Sequence, residues 1–210
     1  MSLRANQTGD LETVVRAYAG CARGELLKYF LPNSCIATTW TTITFMHELG
    51  FVARPWAVRA TIHNPPYVRR WRHLGRAPTD AEEAQWFAED GAVTLELGFS
   101  ARSGKGIGGH LVAVVNDTYL VDASLEQVNR PEHEIIIPPV FVGDLKQPQP
   151  SIRTTYCYTI GDVMLVYEDD PTEMDYTTSP DWSSTPESRA VVETLVARVG
   201  RFLESQRLSD

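Results

Sequence analysis

Apolar positions recur at helical spacing twice near the amino terminus. From Leu11 to Phe30, the residues Val14, Val15, Tyr18, Cys21, Leu26 and Phe30 follow a period of about 3.6, and Leu31-Pro32 ends the run, which predicts a first helix. Asn33 and Ser34 are good helix-capping residues. Cys35 then opens a second run through Ile36, Trp40, Ile43, Met46 and His47 that stops at Gly50. This spacing puts Cys35 on the first turn of a second helix.

Beyond Gly50 the pattern changes. Phe51 to Ile62 is rich in Val, Ala and Thr and predicts a strand, with Pro55 requiring an edge or a bulge. His63 to Pro78 reads as a loop, and Thr79 to Asp90, with Thr79 as cap and acidic residues early, as a short surface helix. Residues 63–90 thus form an insertion or a lid over a cleft. From Val93 strict alternation sets in as VTLELGF, HLVAVV and TYLVDA, with Asn116-Asp117 in the last turn, the mark of antiparallel pairing. Further strands are predicted at Glu134 to Val142, Arg153 to Thr159 and Val163 to Glu168. Residues 171–186 form an irregular loop, and Pro186 to Leu203 a closing amphipathic helix through Val191, Leu195, Val199 and Phe202. Helices, then mostly antiparallel strands, then a terminal helix give an α+β fold, with the Cys35 helix packed on the sheet.

Composition narrows this to a single domain, residues 1–210: a chain of 210 residues that is 43% hydrophobic fills one core rather than two. The net charge of -8 and pI near 5.1 repel phosphate, which argues against nucleic acid and anionic membrane as partners. Met1 to Asp10 is polar with no export signal, and no stretch approaches the ~20 apolar residues that span a bilayer. Three cysteines at irregular spacing do not make a disulfide framework, so a cytoplasmic setting is expected. No HExxH or paired CxxC is present, so neither a metal nor another cofactor is expected.

The candidate chemistry begins at Cys35. A thiol attacks a carbonyl as thiolate, a form favoured by a helix amino terminus and a nearby imidazolium, and the free N–H groups of the same turn can hold an oxyanion. His110 opens the HLVAVV strand after the GKGIGG run, and Asp122 lies in the next strand. Register decides whether they meet. A two-residue turn at Asn116-Asp117 pairs Val112 with Val121 and puts His110 and Asp122 on opposite faces. A three-residue loop through Thr118, or an equivalent bulge, pairs Val112 with Asp122 and His110 with Ser124, leaving imidazole and carboxylate as diagonal neighbours on one face. The catalytic reading requires the second. Asn33, Ser34, Gly109 and Trp182 are the candidates for holding the oxyanion or contacting substrate.

With PNSCIATTWTTITFMHELGF, then GGHLVAVV, then YLVDAS, the stretch from Pro32 to Ser124 resembles the transglutaminase-like branch of the papain-type superfamily, which shares the order Cys, His, Asp. That resemblance implies Cys35 as nucleophile, His110 as base and Asp122 as the residue that orients it. It implies a thiol-dependent amide hydrolase or acyl transferase, either a cysteine peptidase or a transglutaminase, acting on a peptide, a protein or a small amide or acyl substrate. His110 is followed by Leu111-Val112 where many members carry an aromatic residue, and no RGG-type cysteine motif marks the related arylamine N-acetyltransferases. Acyl transfer from coenzyme A, and a binding module without turnover, are the rival readings.

Other residues have simpler explanations. Cys21 and Cys157 read as packed thiols in mid-helix and mid-strand, and Trp40 and Trp56 as core. His47 meets a helix carboxyl end, while His63, His73 and His133 read as solvated. Arg69, Arg70, Arg72 and Arg76 around Trp71 read as a solvated face, although they could grip an acidic group. GKGIGG lacks a GK[ST] ending and leads into a strand, so it reads as a loop beside the site and not as a phosphate cradle. Trp182, in a turn-rich stretch, serves as a loop anchor or as a wall of the cleft.

Overall fold

The computed structural model describes residues 10–31, 33–97, 109–145, 155–169 and 176–207. Pro32, residues 98–108 with most of the glycine run, and residues 171–175 of the irregular loop lie outside the described residues.

Two helices come first, α1 (Leu11–Leu26) and α2 (Cys35–Glu48). α1 ends a turn earlier than its apolar spacing predicts, and Leu27 to Phe30 continue as turns. Strand β1 (Ala53–His63) leads to α3 (Pro65–Leu74) and α4 (Asp80–Asp90), and then to β2 (Thr94–Leu97), β3 (His110–Val115) and β4 (Tyr119–Asp122). After two short 3-10 turns come β5 (Phe141–Asp144), β6 (Thr155–Ile160), β7 (Val163–Asp169) and the long α5 (Pro186–Arg207). The strands form one sheet in the order β5-β4-β3-β1-β7-β6 with β2 joined to β1, and every pairing is antiparallel. The protein is therefore an α+β fold, with amino-terminal helices and a long carboxyl-terminal helix packed on an antiparallel sheet.

Alternation sends β3 and β4 side chains into two cores. Ala113, Val115, Val121 and Ala123 face the helical layer, where Tyr18, Phe45, Met46 and Leu195 cover them. Val112 and Leu120 face the other way, among Val58, Ile62, Phe141, Leu165 and Tyr167. The sheet curls around this second core until its ends meet: the Tyr158 hydroxyl of β6 donates to the Asp144 carbonyl of β5 at 3.2 Å, and its ring stands edge-on to Phe141, centroids 5.0 Å apart. Gly143 permits the closure, since a Cβ there would lie 2.5 Å from Tyr158 Cζ.

Two expectations are corrected. Residues 63–78 are not a loop: Asn64 caps α3 by accepting from Tyr67 N at 3.1 Å, Pro65-Pro66 fill its first turn, and Gly75 ends it at φ 70°. Proline is tolerated there because those N–H groups have no helical partner. The fully buried Asn64 also accepts from Val93 N and donates to Gly91 O and His133 O, tying the α3–α4 lobe to the sheet. Second, Glu134 to Pro139 is not strand; β5 begins only at Phe141, after Pro138-Pro139, and the buried Ile135 and Ile137 mimic strand alternation while plugging the inner core. The edge that Pro55 requires is present locally, although β1 is central to the sheet as a whole. Pro55 is accommodated because at that point β1 has only β3 beside it, β7 joining from Val58 onward.

Candidate active site

Helix α2 is buried on nearly every side, so its threonines must satisfy themselves. Thr41, Thr42 and Thr44 donate back to the carbonyls of Ala37, Thr38 and Trp40. Because the Thr42 hydroxyl is spent as a donor, Tyr18 OH must donate to it, at 2.6 Å. Thr39 instead reaches out to the Leu111 carbonyl at 2.8 Å, fixing α2 on β3 one turn beyond Cys35. Asp10, Asn64, Thr79 and Thr185 each cap their helices through a side chain, whereas Ser34 makes no such bond at the start of α2. The first-turn N–H groups of Cys35, Ile36 and Ala37 are thus left uncapped by a side chain.

The β3–β4 hairpin settles the register. Asn116 and Asp117 both have positive φ, 48° and 49°, and Thr118 N–H bonds the Val115 carbonyl, but strand pairing resumes at Val115↔Tyr119. Thr118 is the extra residue of a bulge. His110 and Asp122 consequently share the inner face as diagonal neighbours. His110 Nε2–H donates to Asp122 Oδ2 at 2.7 Å, with the two residues 2% and 0% exposed. Gly109, with φ 116°, lets the chain turn into the strand immediately before the histidine.

Asp122 accepts four hydrogen bonds: Oδ2 from His110 and from Tyr167 OH at 2.9 Å, Oδ1 from Ser124 N at 3.0 Å and Ser124 Oγ at 3.3 Å. Burial pushes its pKa up, but the adjacent imidazolium and these donors more than reverse this and hold it below the usual carboxylate value. Burial likewise opposes charge on His110, yet the charge and hydrogen bond of Asp122, with Cys35, carry its pKa up to about 10. With Nε2 on Asp122, Nδ1 is the nitrogen left for the hydrogen bond with Cys35.

Cys35 is half-buried against Ile36, Leu111, Ala57, Tyr176 and Trp182. Trp182 and Tyr176 meet edge to face, centroids 4.6 Å apart, so Trp182 both pins its loop and walls the thiol. Of the remaining candidates, Ser34 is half-buried at the helix start, Gly109 adjoins His110, and Asn33 is exposed one residue farther out.

The other two cysteines, Cys21 and Cys157, are also free thiols, and burial pushes the pKa of both up. His63 is not solvated; it ends β1 stacked on Tyr67 at 4.2 Å and bonded to Thr94 Oγ1, and burial lowers its pKa to about 4. Arg70 pairs with Glu89 and Asp90 and Arg76 with Glu82, so acidic residues of α4 engage half of the basic cluster. Among the described residues no group of His, Cys, Asp and Glu could hold a metal, and no helix is long and apolar enough to cross a membrane. The structure adds Tyr167, Ser124, Thr39 and Tyr176 to the site. Only Tyr167 left a trace in the sequence, as a polar-tipped residue at an inward position of VMLVYED. Compared with protein-family models, curated proteins and solved structures, the chain matches none.

Proposed function

We propose that this chain is a cysteine-nucleophile acyl-transfer enzyme of transglutaminase-like type. The observation that carries the reading is the hydrogen-bonded line from the half-buried Cys35 through the buried His110 to the buried Asp122, each member of which has the partner its role requires. The Cys35 thiolate attacks an amide carbonyl and the oxygen gathers negative charge near the uncapped first turn of α2. The C–N bond breaks as His110 Nδ1–H gives its proton to the departing amine, leaving a thioester on Cys35. Water or an amine then attacks the thioester, Nδ1 takes its proton, and the thiolate is released. Asp122 keeps its charge throughout and orients the ring. The choice of water makes the protein a peptidase or amidase; the choice of an amine makes it a transferase.

The test is alkylation by limiting iodoacetamide between about pH 5 and pH 9, with the modified cysteine identified by peptide mass spectrometry, in wild type and His110→Ala. Cys35 is expected to react first. An ordinary thiol is about 1% thiolate near pH 6.5. The variant should therefore react ~10-fold more slowly there, the greater nucleophilicity of a more basic thiolate offsetting part of the loss. Reaction of Cys35 no faster than Cys21 or Cys157 would overturn the reading.

A further inference from the structure

We propose that Tyr167 is a positioning residue of this site: its hydroxyl, donated across the inner core to the carboxylate oxygen that also receives His110, keeps Asp122 ionised and the imidazole aimed at Cys35. The inference rests on the reading of Cys35, His110 and Asp122 as acyl-transfer machinery.

Asp122 is on β4 and Tyr167 on β7, with β3 and β1 between them. In a flat sheet three strand spacings would separate them by about 14 Å. They touch at 2.9 Å only because the sheet curls, so the contact spans the inner core and belongs to neither strand's local pairing. The ring is held from two sides, stacked on Phe141 at 6.1 Å and edge-on to Tyr158 at 6.2 Å. A phenylalanine would fill the same space, so packing does not call for the hydroxyl. What calls for it is the carboxylate, which is fully buried and has no exposed surface for water. Ser124 supplies both donors to Oδ1; without Tyr167, Oδ2 would have His110 alone. A hydrogen bond to the charged form of a buried acid favours that form.

Tyr167 can act in only one direction. Burial first, and then the neighbouring Asp122 charge, push its phenol well above the ordinary value, so it stays protonated as a permanent donor and is no candidate for a base. It touches neither Cys35 nor a position substrate could reach, and it acts through Asp122.

The experiment is the pH profile of Cys35 alkylation by iodoacetamide in wild type, in Tyr167→Phe, and with 3-fluorotyrosine placed at 167. The fluorinated phenol is the more acidic and hence stronger donor. Tyr18→Phe, a fully buried tyrosine of the helical layer whose hydroxyl bonds Thr42 and not Asp122, is the control, and melting temperatures report folding. The acid limb of the profile should move to higher pH in Tyr167→Phe, with slower alkylation along it, because a buried carboxylate that loses a donor is protonated more readily and then no longer holds the imidazolium beside Cys35. It should move down with 3-fluorotyrosine and stay in place in the control. A folded Tyr167→Phe whose acid limb coincides with that of wild type refutes the positioning role while leaving the nucleophile assignment standing. If Tyr167→Phe does not fold, an unmoved limb with 3-fluorotyrosine refutes it equally. Absence of preferential Cys35 alkylation in wild type overturns the underlying assignment and this role with it.

Discussion

Asp122→Asn tests the site through stability as well as reactivity. The carboxylate receives two donors on each oxygen, from His110 and Tyr167 on one and from Ser124 on the other. Whichever way an amide is turned, its NH2 meets an N–H that cannot accept, that of the Ser124 backbone or of the His110 ring. The variant can relieve this by giving up the His110 proton so that Nε2 accepts, which removes the imidazolium. Breaking a buried charge pair costs about 3–5 kcal/mol. In a domain of this size that lowers the melting temperature by ~6–20 °C. The pH dependence is the sharper prediction. Asp122 is lowered on folding, so its contribution is present above the ordinary value of 3.8 and is lost as the pH falls from there through the folded value. His110 is raised to about 10, so its contribution is complete below 6.5 and is lost as the pH rises toward about 10. Thermal melts followed by circular dichroism across this range should show the widest gap between wild type and variant between 3.8 and 6.5, closing toward 10. A gap that is absent, or the same at every pH, would refute the ion pair.

Three further perturbations separate fold from site. Gly143→Ala drives a Cβ to 2.5 Å from Tyr158 Cζ, so the ring must shift at a cost of ~1–3 kcal/mol; an unchanged melting temperature would show that the sheet closes less tightly than described. Thr79→Ala removes the capping box of α4 and should cost about 1 kcal/mol without altering Cys35 alkylation; slower alkylation would mean that the α3–α4 lobe reaches the thiol. Trp182→Ala opens the apolar wall beside Cys35, so a bulky maleimide should gain several-fold on iodoacetamide in rate, whereas an unchanged ratio would place the indole off the approach path.

Legibility in the sequence followed the range of the interactions. The start of α2 at Cys35 and the strands bearing His110 and Asp122 rest on local spacing and capping, and local signals sufficed. The hairpin left two registers open, because Asn116-Asp117 suits a tight turn and only the resumption of pairing at Tyr119 makes Thr118 a bulge. Helix α3 is obscured although its signals are local: Pro65-Pro66 looks like a breaker unless Asn64 stands as the cap before it. Tyr167 and the contact between Tyr158 and Gly143 depend on how far the sheet curls, which alternation along single strands does not encode. His63 looks solvated in the sequence because the α3 residue that covers it, Tyr67, lies in a stretch that reads as loop.

The Thr118 bulge bears on how the chain finds its fold. Slipped by one residue, β4 would turn Asp122 toward the helical layer, among the apolar neighbours of Val121 and Ala123, where a bare carboxylate is among the costliest groups to bury. The native pairing gives the same carboxylate four donors. The charge at 122 therefore discriminates between two hairpins that hydrophobicity alone would leave close in energy. The residue that would orient the imidazole of the proposed site thus also decides how the sheet zips, and replacing it removes a guard against mispairing.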